Sequence, residues 1–331
     1  MEANEILRRY QAGETDFQGV SLRNVNLQGA DLIGVNLSEA DLNGANIIFG
    51  YLSRVNLYGA NLTHTKMAGA NLNQADLRNA NLNDADLHGA TLQGADLRKA
   101  NLTLALLLDA NLIGADLRNV NLSGASLRGA CLRGANLRYE KRAYAPADLR
   151  GADLRGADLQ GVNLAGGDLT RADLRGANLM ETNLRGANLS QVKLQQANLT
   201  RAMLTEANLT RAIGFDAEIV EAQLERAILT ESELRGVNLR GSRLTDAKLD
   251  KATLVGANLT QVNLARADLT RTNMSGANLT EADLLEVYFA KTDLTDANLS
   301  KAILLRAELS MANFTNANLE GAMMPNGEVN D

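Results

Sequence analysis

The chain has 331 residues, with 33 lysines and arginines against 39 aspartates and glutamates, a formal net charge of −6 that offers no bulk positive charge for direct nucleic-acid binding. Hydrophobic residues make up 45% of it but never gather into an eighteen-residue apolar run, which excludes a membrane-spanning helix. A single Cys, Cys131, excludes an internal disulfide, and the first residues lack the basic-then-apolar pattern of an export signal, so a cytoplasmic protein is expected.

In chain order, residues 2–12 carry Ile6, Leu7 and Tyr10 at helical spacing, followed by Gly13 as a stop. Residues 1–14 are therefore expected to form a short helical cap that hides an open edge of the adjoining structure. From Phe17 onward every fifth residue is Leu or a close substitute. Of 61 such beats, 52 are Leu, and Gly214 alone has no apolar side chain. Two positions before each beat stands a small or slim residue, mostly Ala; one position before it stands mostly Asn or Asp, as in Ala30-Asp31-Leu32. A period of five fits neither the 3.6 of a helix nor the 2.0 of a strand. It fits a stacked solenoid in which each coil buries its inward side chains against its neighbours.

The coil length is also written in the sequence. Glu206, Arg226, Asp246, Arg266, Glu286 and Arg306 lie twenty apart and alternate in sign, and Arg78, Arg98, Arg118 and Arg138 form another such row. Four beats thus make a turn, and stacked turns should rise about 4.8 Å. Opposite charges at that spacing attract; like-charged stacked guanidinia must fan into solvent or bind anions.

These residues resemble the pentapeptide-repeat family, whose unit reads A(D/N)LXX, over about residues 15–324. The resemblance implies an all-β fold: a right-handed quadrilateral parallel β-helix with the Leu and the small residue pointing inward and the other three positions facing water. Sixty-one beats correspond to about fifteen coils in one continuous rod. The predicted organisation is a cap at 1–14, a first repeat block at 15–139, a projecting loop and register break at 140–146, a second block at 147–324 and a polar, frayed tail at 325–331. Gly214 is expected to flatten or indent one side, and Cys131, beside Leu132, to be an exposed thiol.

Candidate chemistry is sparse. His64 and His88 fall on outward positions; His64, twenty residues before Asp84, is expected to stack with it as a surface pair. Asp residues are spread by the repeat instead of gathered into a cage, and glycines recur at steps of five without phosphate-loop spacing. No enzyme, cofactor or metal is expected.

Surfaces carry what remains. Residues 1–138 hold 12 basic and 13 acidic side chains, whereas 148–331 hold 19 and 25. The densest acidic stretch, residues 216–233, includes Asp216, Glu218, Glu221 and Glu225. On the 140–146 break and its edge, Tyr139, Glu140, Lys141, Arg142 and Tyr144 form either a partner contact or a tolerated insertion. Leu104, Leu106 and Leu108 fall on outward positions around Leu107. They are either a docking patch or the mark of a local shift that turns them inward. The expected function is a non-enzymatic scaffold or protein-interaction rod, monomeric or weakly associating end to end. The resemblance also implies an alternative, an acidic DNA mimic that binds a type II topoisomerase (gyrase) and protects it from inhibitors, and it suggests a bacterial source. The acidic residues are then either that mimic's surface or only solubilising.

Overall fold

The computed structural model describes residues 1–138 and 146–331, and the chain falls into two compact units, Met1–Asp168 and Leu169–Asp331. The boundary thus lies inside the second repeat block instead of at the register break. In each unit the backbone winds into parallel coils. The residue before each beat bridges its counterpart twenty positions on, from Asp16↔Asn36 to Asp116↔Asn136 in the first unit and from Asp173↔Lys193 to Ile303↔Met323 in the second. Four repeats therefore make one coil. Across the register break the partners are Asn121↔Asp148 and Asn136↔Asn163, and the spacing returns to twenty at Asp148↔Asp168.

The five-residue period has a local cause. Each beat begins a tight turn: the N–H three residues on donates to the beat's carbonyl, as from Ala30 to Leu27 at 3.0 Å. The beat's own N–H reaches the next coil, as from Leu27 to the Asn46 carbonyl at 2.7 Å, and Asn46 N–H donates to Val25 at 2.9 Å in the previous one. The residue two after the beat is left-handed at every described repeat from Gly19 to Gly321, including non-glycine residues such as Leu104 at φ 59° and Lys291 at φ 60°. Glycine recurs there because it alone adopts that conformation without a Cβ clash.

Asn and Asp before the beat close the turn with their side chains. Asn46 Oδ1 accepts from Ile48 N–H at 3.2 Å, while its Nδ2 donates to Asn26 Oδ1 in the coil before, at 3.0 Å. Asn258 repeats the pattern in the second unit, accepting from Thr260 N–H at 3.2 Å and donating to Asn238 at 3.0 Å. A short amide thus serves both the turn and the stack.

Inside, most beats and their small partners are withdrawn from water, with Phe289 the largest fully buried side chain, but in the last coil Leu309, Phe314, Leu319 and Met324 are only half-buried. Where Thr replaces Ala, the hydroxyl can find a carbonyl of the neighbouring coil, as Thr65 donates to Leu42 at 3.0 Å and Thr272 to Leu249 at 2.8 Å, whereas the buried Ser232 hydroxyl has no partner among the described residues. Such pairing removes most of the cost of a polar group in an apolar column. Gly214 does not break the register. Its N–H still donates to Glu233 at 2.8 Å, and Leu234 Cδ2 lies 2.9 Å from where a Cβ would stand, so Leu234 fills the place expected to be indented.

The first residues form α1 (Ala3–Gln11), with Ile6 buried. Tyr10 Oη donates to the Ile33 carbonyl at 3.1 Å, and the Met1 amine to the Ser21 carbonyl at 2.9 Å. Arg9 pairs with Glu14 and lies 5.2 Å from the centre of the Phe17 ring. The other terminus departs from expectation. The tail is not a frayed strand: Met323 and Val329 pair antiparallel, with Asn330 N–H donating to Ala322 at 2.8 Å. Gly327 at φ 90° turns the chain back, and backbone pairing outweighs the tail's polar composition.

Candidate interaction surface

Because the beat and the small residue are consumed by the interior, contact with other molecules falls to three positions per repeat, each standing in a column of twenty-residue steps. Three kinds of column result: self-paired charges, amides, and apolar side chains.

Charge columns mostly neutralise themselves. Arg78 Nη2 lies 2.6 Å from Asp76 of its own repeat and its Nε 3.6 Å from Asp96 of the next coil; Arg98 repeats the pattern, with Asp96 at 2.6 Å and Asp116 at 3.7 Å. This Arg row, expected to splay or hold anions, is instead a zipper of alternating guanidinium and carboxylate. Burial alone would raise the Asp96 pKa, but hydrogen bonds from Arg98 hold it below the ordinary carboxylate value. Tyr58 closes one end, with Arg78 5.5 Å from its ring centre, and together they line a surface groove of about 290 Å³. In the second unit the sign-alternating row pairs as its spacing predicts: Arg226 with Glu206 at 2.7 Å, Arg266 with Asp246 at 2.8 Å, and Arg306 with Glu286 at 3.3 Å.

The acidic stretch is not one patch in space. Within one coil its members fall in different columns, and cations from other coils reach several of them: Arg201 Nε is 3.0 Å from Glu221, and Arg243 Nε 2.8 Å from Glu225. Glu218 accepts from Asn238 Nδ2 at 2.7 Å, and Asp216 leans over Gly236. Density along the sequence maps onto the circumference of a coil, so it does not by itself make a face. His64 and Asp84 stack at 4.0 Å as their spacing predicts, and Cys131 is half-buried instead of exposed. Tyr139, Glu140, Lys141, Arg142 and Tyr144 lie outside the described residues.

Leu104 and Leu106 point outward. Leu104 is 52% and Leu106 50% exposed, while Leu107 is fully buried and keeps its bond to the Ser126 carbonyl at 2.7 Å. The register does not shift, so these leucines do not turn into the core. They flank buried Ala105; Leu104 leans over Gly124, and Leu108 is half-buried beside them. Sequence reasoning missed a second apolar spot on the same unit. Phe49, 63% exposed, lies over Gly69, and Tyr51, 55% exposed, stands on the other side of the turn. Half-buried Ile48 begins the column that passes through Ala68 and His88 to Leu108, three coils or about 14 Å away. The signal was available: Phe49 and Tyr51 occupy positions where the repeat demands no apolar residue.

Among the described residues, no group of three or more His, Cys, Asp or Glu is arranged to hold a metal ion, and no helix is long and apolar enough to cross a membrane.

Comparisons with known proteins agree with the repeat. The family profile described as Pentapeptide repeats matches residues 13–47, 56–94, 65–103, 100–138, 147–186, 182–213, 217–254, 247–284 and 282–321. The chain belongs to the pentapeptide-repeat family. Among solved structures it is similar to HetL, a pentapeptide repeat protein involved in heterocyst differentiation regulation from the cyanobacterium Nostoc sp. strain PCC 7120. That match has 28% identity, covers 100% of both chains and has a TM-score of 0.20. It is also similar to another pentapeptide repeat protein from Nostoc, at 30% identity over 46% of this chain and 80% of that one, with a TM-score of 0.13. A trypsin-treated variant of QnrB1, a plasmid-mediated fluoroquinolone resistance protein, matches at 17% identity over 62% of this chain and 91% of that one, with a TM-score of 0.40. A comparison with curated proteins finds no match.

Proposed function

We propose that this protein is a non-enzymatic interaction scaffold that binds a protein partner through the apolar spots of its first unit. The observation that carries this reading is the outward placement of Leu104 and Leu106, each about half exposed, on a wall whose other columns are amides and paired charges. Exposed apolar side chains in such a polar setting gain free energy when covered. α1 serves as the cap of the first coil, keeping its edge from pairing with other chains. The topoisomerase-binding alternative draws less support, because many carboxylates are already tied to guanidinia within the stack.

Affinity capture from a bacterial lysate with parent and Leu104→Asp/Leu106→Asp proteins tests the reading, alongside a gyrase supercoiling assay. A specific partner retained by the parent and lost by the variant supports it. Equal capture by both, or gyrase inhibition at micromolar protein that the variant preserves, overturns it.

A further inference from the structure

The left-handed columns of the second unit differ in one respect. Three hold self-pairing charges or small and amide-rich runs, but the column of Arg171, Arg211, Lys251, Arg271 and Lys291 stacks five cations with only Gln191 and Glu231 among them. Glu231 bridges its two neighbours, with Arg211 at 2.8 Å and Lys251 at 3.4 Å. The Arg171 guanidinium donates to the neutral Gln191, at 2.9 Å. Arg271 and Lys291 are exposed, one coil apart, and their side chains meet no acidic partner among the described residues. Like charges at that spacing repel, and both residues also carry the left-handed strain, at φ 58° and 60°. At Arg226 an ion pair with Glu206 of the neighbouring coil offsets such strain. At Arg271 and Lys291 no described residue does.

The start of this column opens into a surface groove of about 870 Å³ lined by Arg171, Lys193, Arg211 and Ile213, with Glu231 and Glu233 also in its wall. Six steps separate Arg171 from Lys291, about 29 Å at the strand spacing, or roughly nine extended residues. The track is one column wide. On its flanks stand Asp268 and Glu308 on one side and Glu233 and Asp293 on the other. A broad polyanion would meet those carboxylates, whereas a single extended chain would not.

We infer that this column is a docking track for an extended acidic segment of a protein partner, about nine residues long. This rests on the interaction reading above but uses other residues, those of the second unit, so the two fail separately. A fluorescein-labelled ten-residue polyglutamate peptide serves as probe, titrated by anisotropy against the full chain at 50 and 300 mM salt. Duplex DNA and phosphatidylserine vesicles are titrated in parallel. Micromolar binding of the peptide that weakens with salt is expected, with at least a tenfold loss in Arg271→Glu/Lys291→Glu. Glu286 already occupies the same left-handed position, so that variant should fold, and circular dichroism confirms it. Lys301→Glu, in another column, should change the affinity less than threefold. No peptide binding, equal loss in Lys301→Glu, or tighter binding of DNA or vesicles than of peptide overturns the inference. Leu104→Asp/Leu106→Asp should bind the peptide like the parent; loss in that variant would also contradict a separate track.

Discussion

Replacing Leu179 by Asp tests the interior column at one point. Leu179 is fully buried, and its N–H donates to the Asn198 carbonyl of the next coil at 2.7 Å. Removing the isobutyl group forfeits about 1.5–3 kcal/mol of burial. Keeping an aspartate neutral at pH 7, three units above its ordinary value near 3.9, adds about 4 kcal/mol. The total, roughly 6 kcal/mol, is comparable to the stability of a whole small domain and should open the site locally before the unit unfolds. This carboxyl has a raised pKa when folded, so its penalty is absent below about pH 4, where both states are protonated. The penalty then grows by about 1.4 kcal/mol per unit as pH rises towards the folded pKa. Leu179→Asn carries a similar polar burden without titrating. Hydrogen exchange by mass spectrometry, at two pH values and corrected for intrinsic rates, should show faster exchange around Asn198 in both variants. The gap between them should widen from pH 5 to pH 8. Protection equal to the parent, or a gap that ignores pH, refutes the inward assignment.

Three further outcomes rest on the same geometry. Asn258→Ala loses an acceptor for Thr260 N–H and a donor to Asn238, and should lower stability by about 1–2 kcal/mol in urea unfolding, whereas an outward amide without a role would cost almost nothing. Gly114→Ala, at φ 64° with open space around it, should cost about 1 kcal/mol; Gly124→Ala, at φ 66° with Leu104 Cδ2 2.9 Å from the new methyl, should cost more and displace Leu104, so equal melting points for the two variants would count against the packing described. Asp153, hydrogen-bonded by Arg155, has its pKa held below the ordinary value, so its contribution is present above about pH 4 and lost as pH falls through the folded pKa. Asp153→Asn should therefore flatten the acid limb of the melting-temperature profile; the partly exposed pair limits the effect to under about 1 kcal/mol.

The inward half of the repeat was legible because burial demands a residue type. Leu at the beat and Ala two before it declare their places, and twenty-residue charge rows disclosed the coil. The outward half was less legible, since several physical demands share the same letters. Asn and Asp before the beat read as generic surface residues, yet Asn46 both closes a turn and bonds to Asn26 of the neighbouring coil. The recurring glycines at the left-handed position hid a backbone rule that Lys291 and Leu104 also obey. Counting charge along the chain misjudged the acidic stretch, because ten residues span half a coil and Glu221 and Glu225 find Arg201 and Arg243 across it. Leu104 and Leu106 were flagged by breaking the polar rule, but only the intact register at Leu107 decided which way they point.

Hydroxyl-radical footprinting of the protein, alone and with the partner recovered by affinity capture, tests the account most directly. Alone, Leu104 and Leu106 should be oxidised readily while Leu102 and Leu107 are spared; with the partner bound, the first two should become protected. Oxidation of Leu107 at the rate of Leu106, or partner protection that leaves Leu104 and Leu106 unchanged, would contradict it.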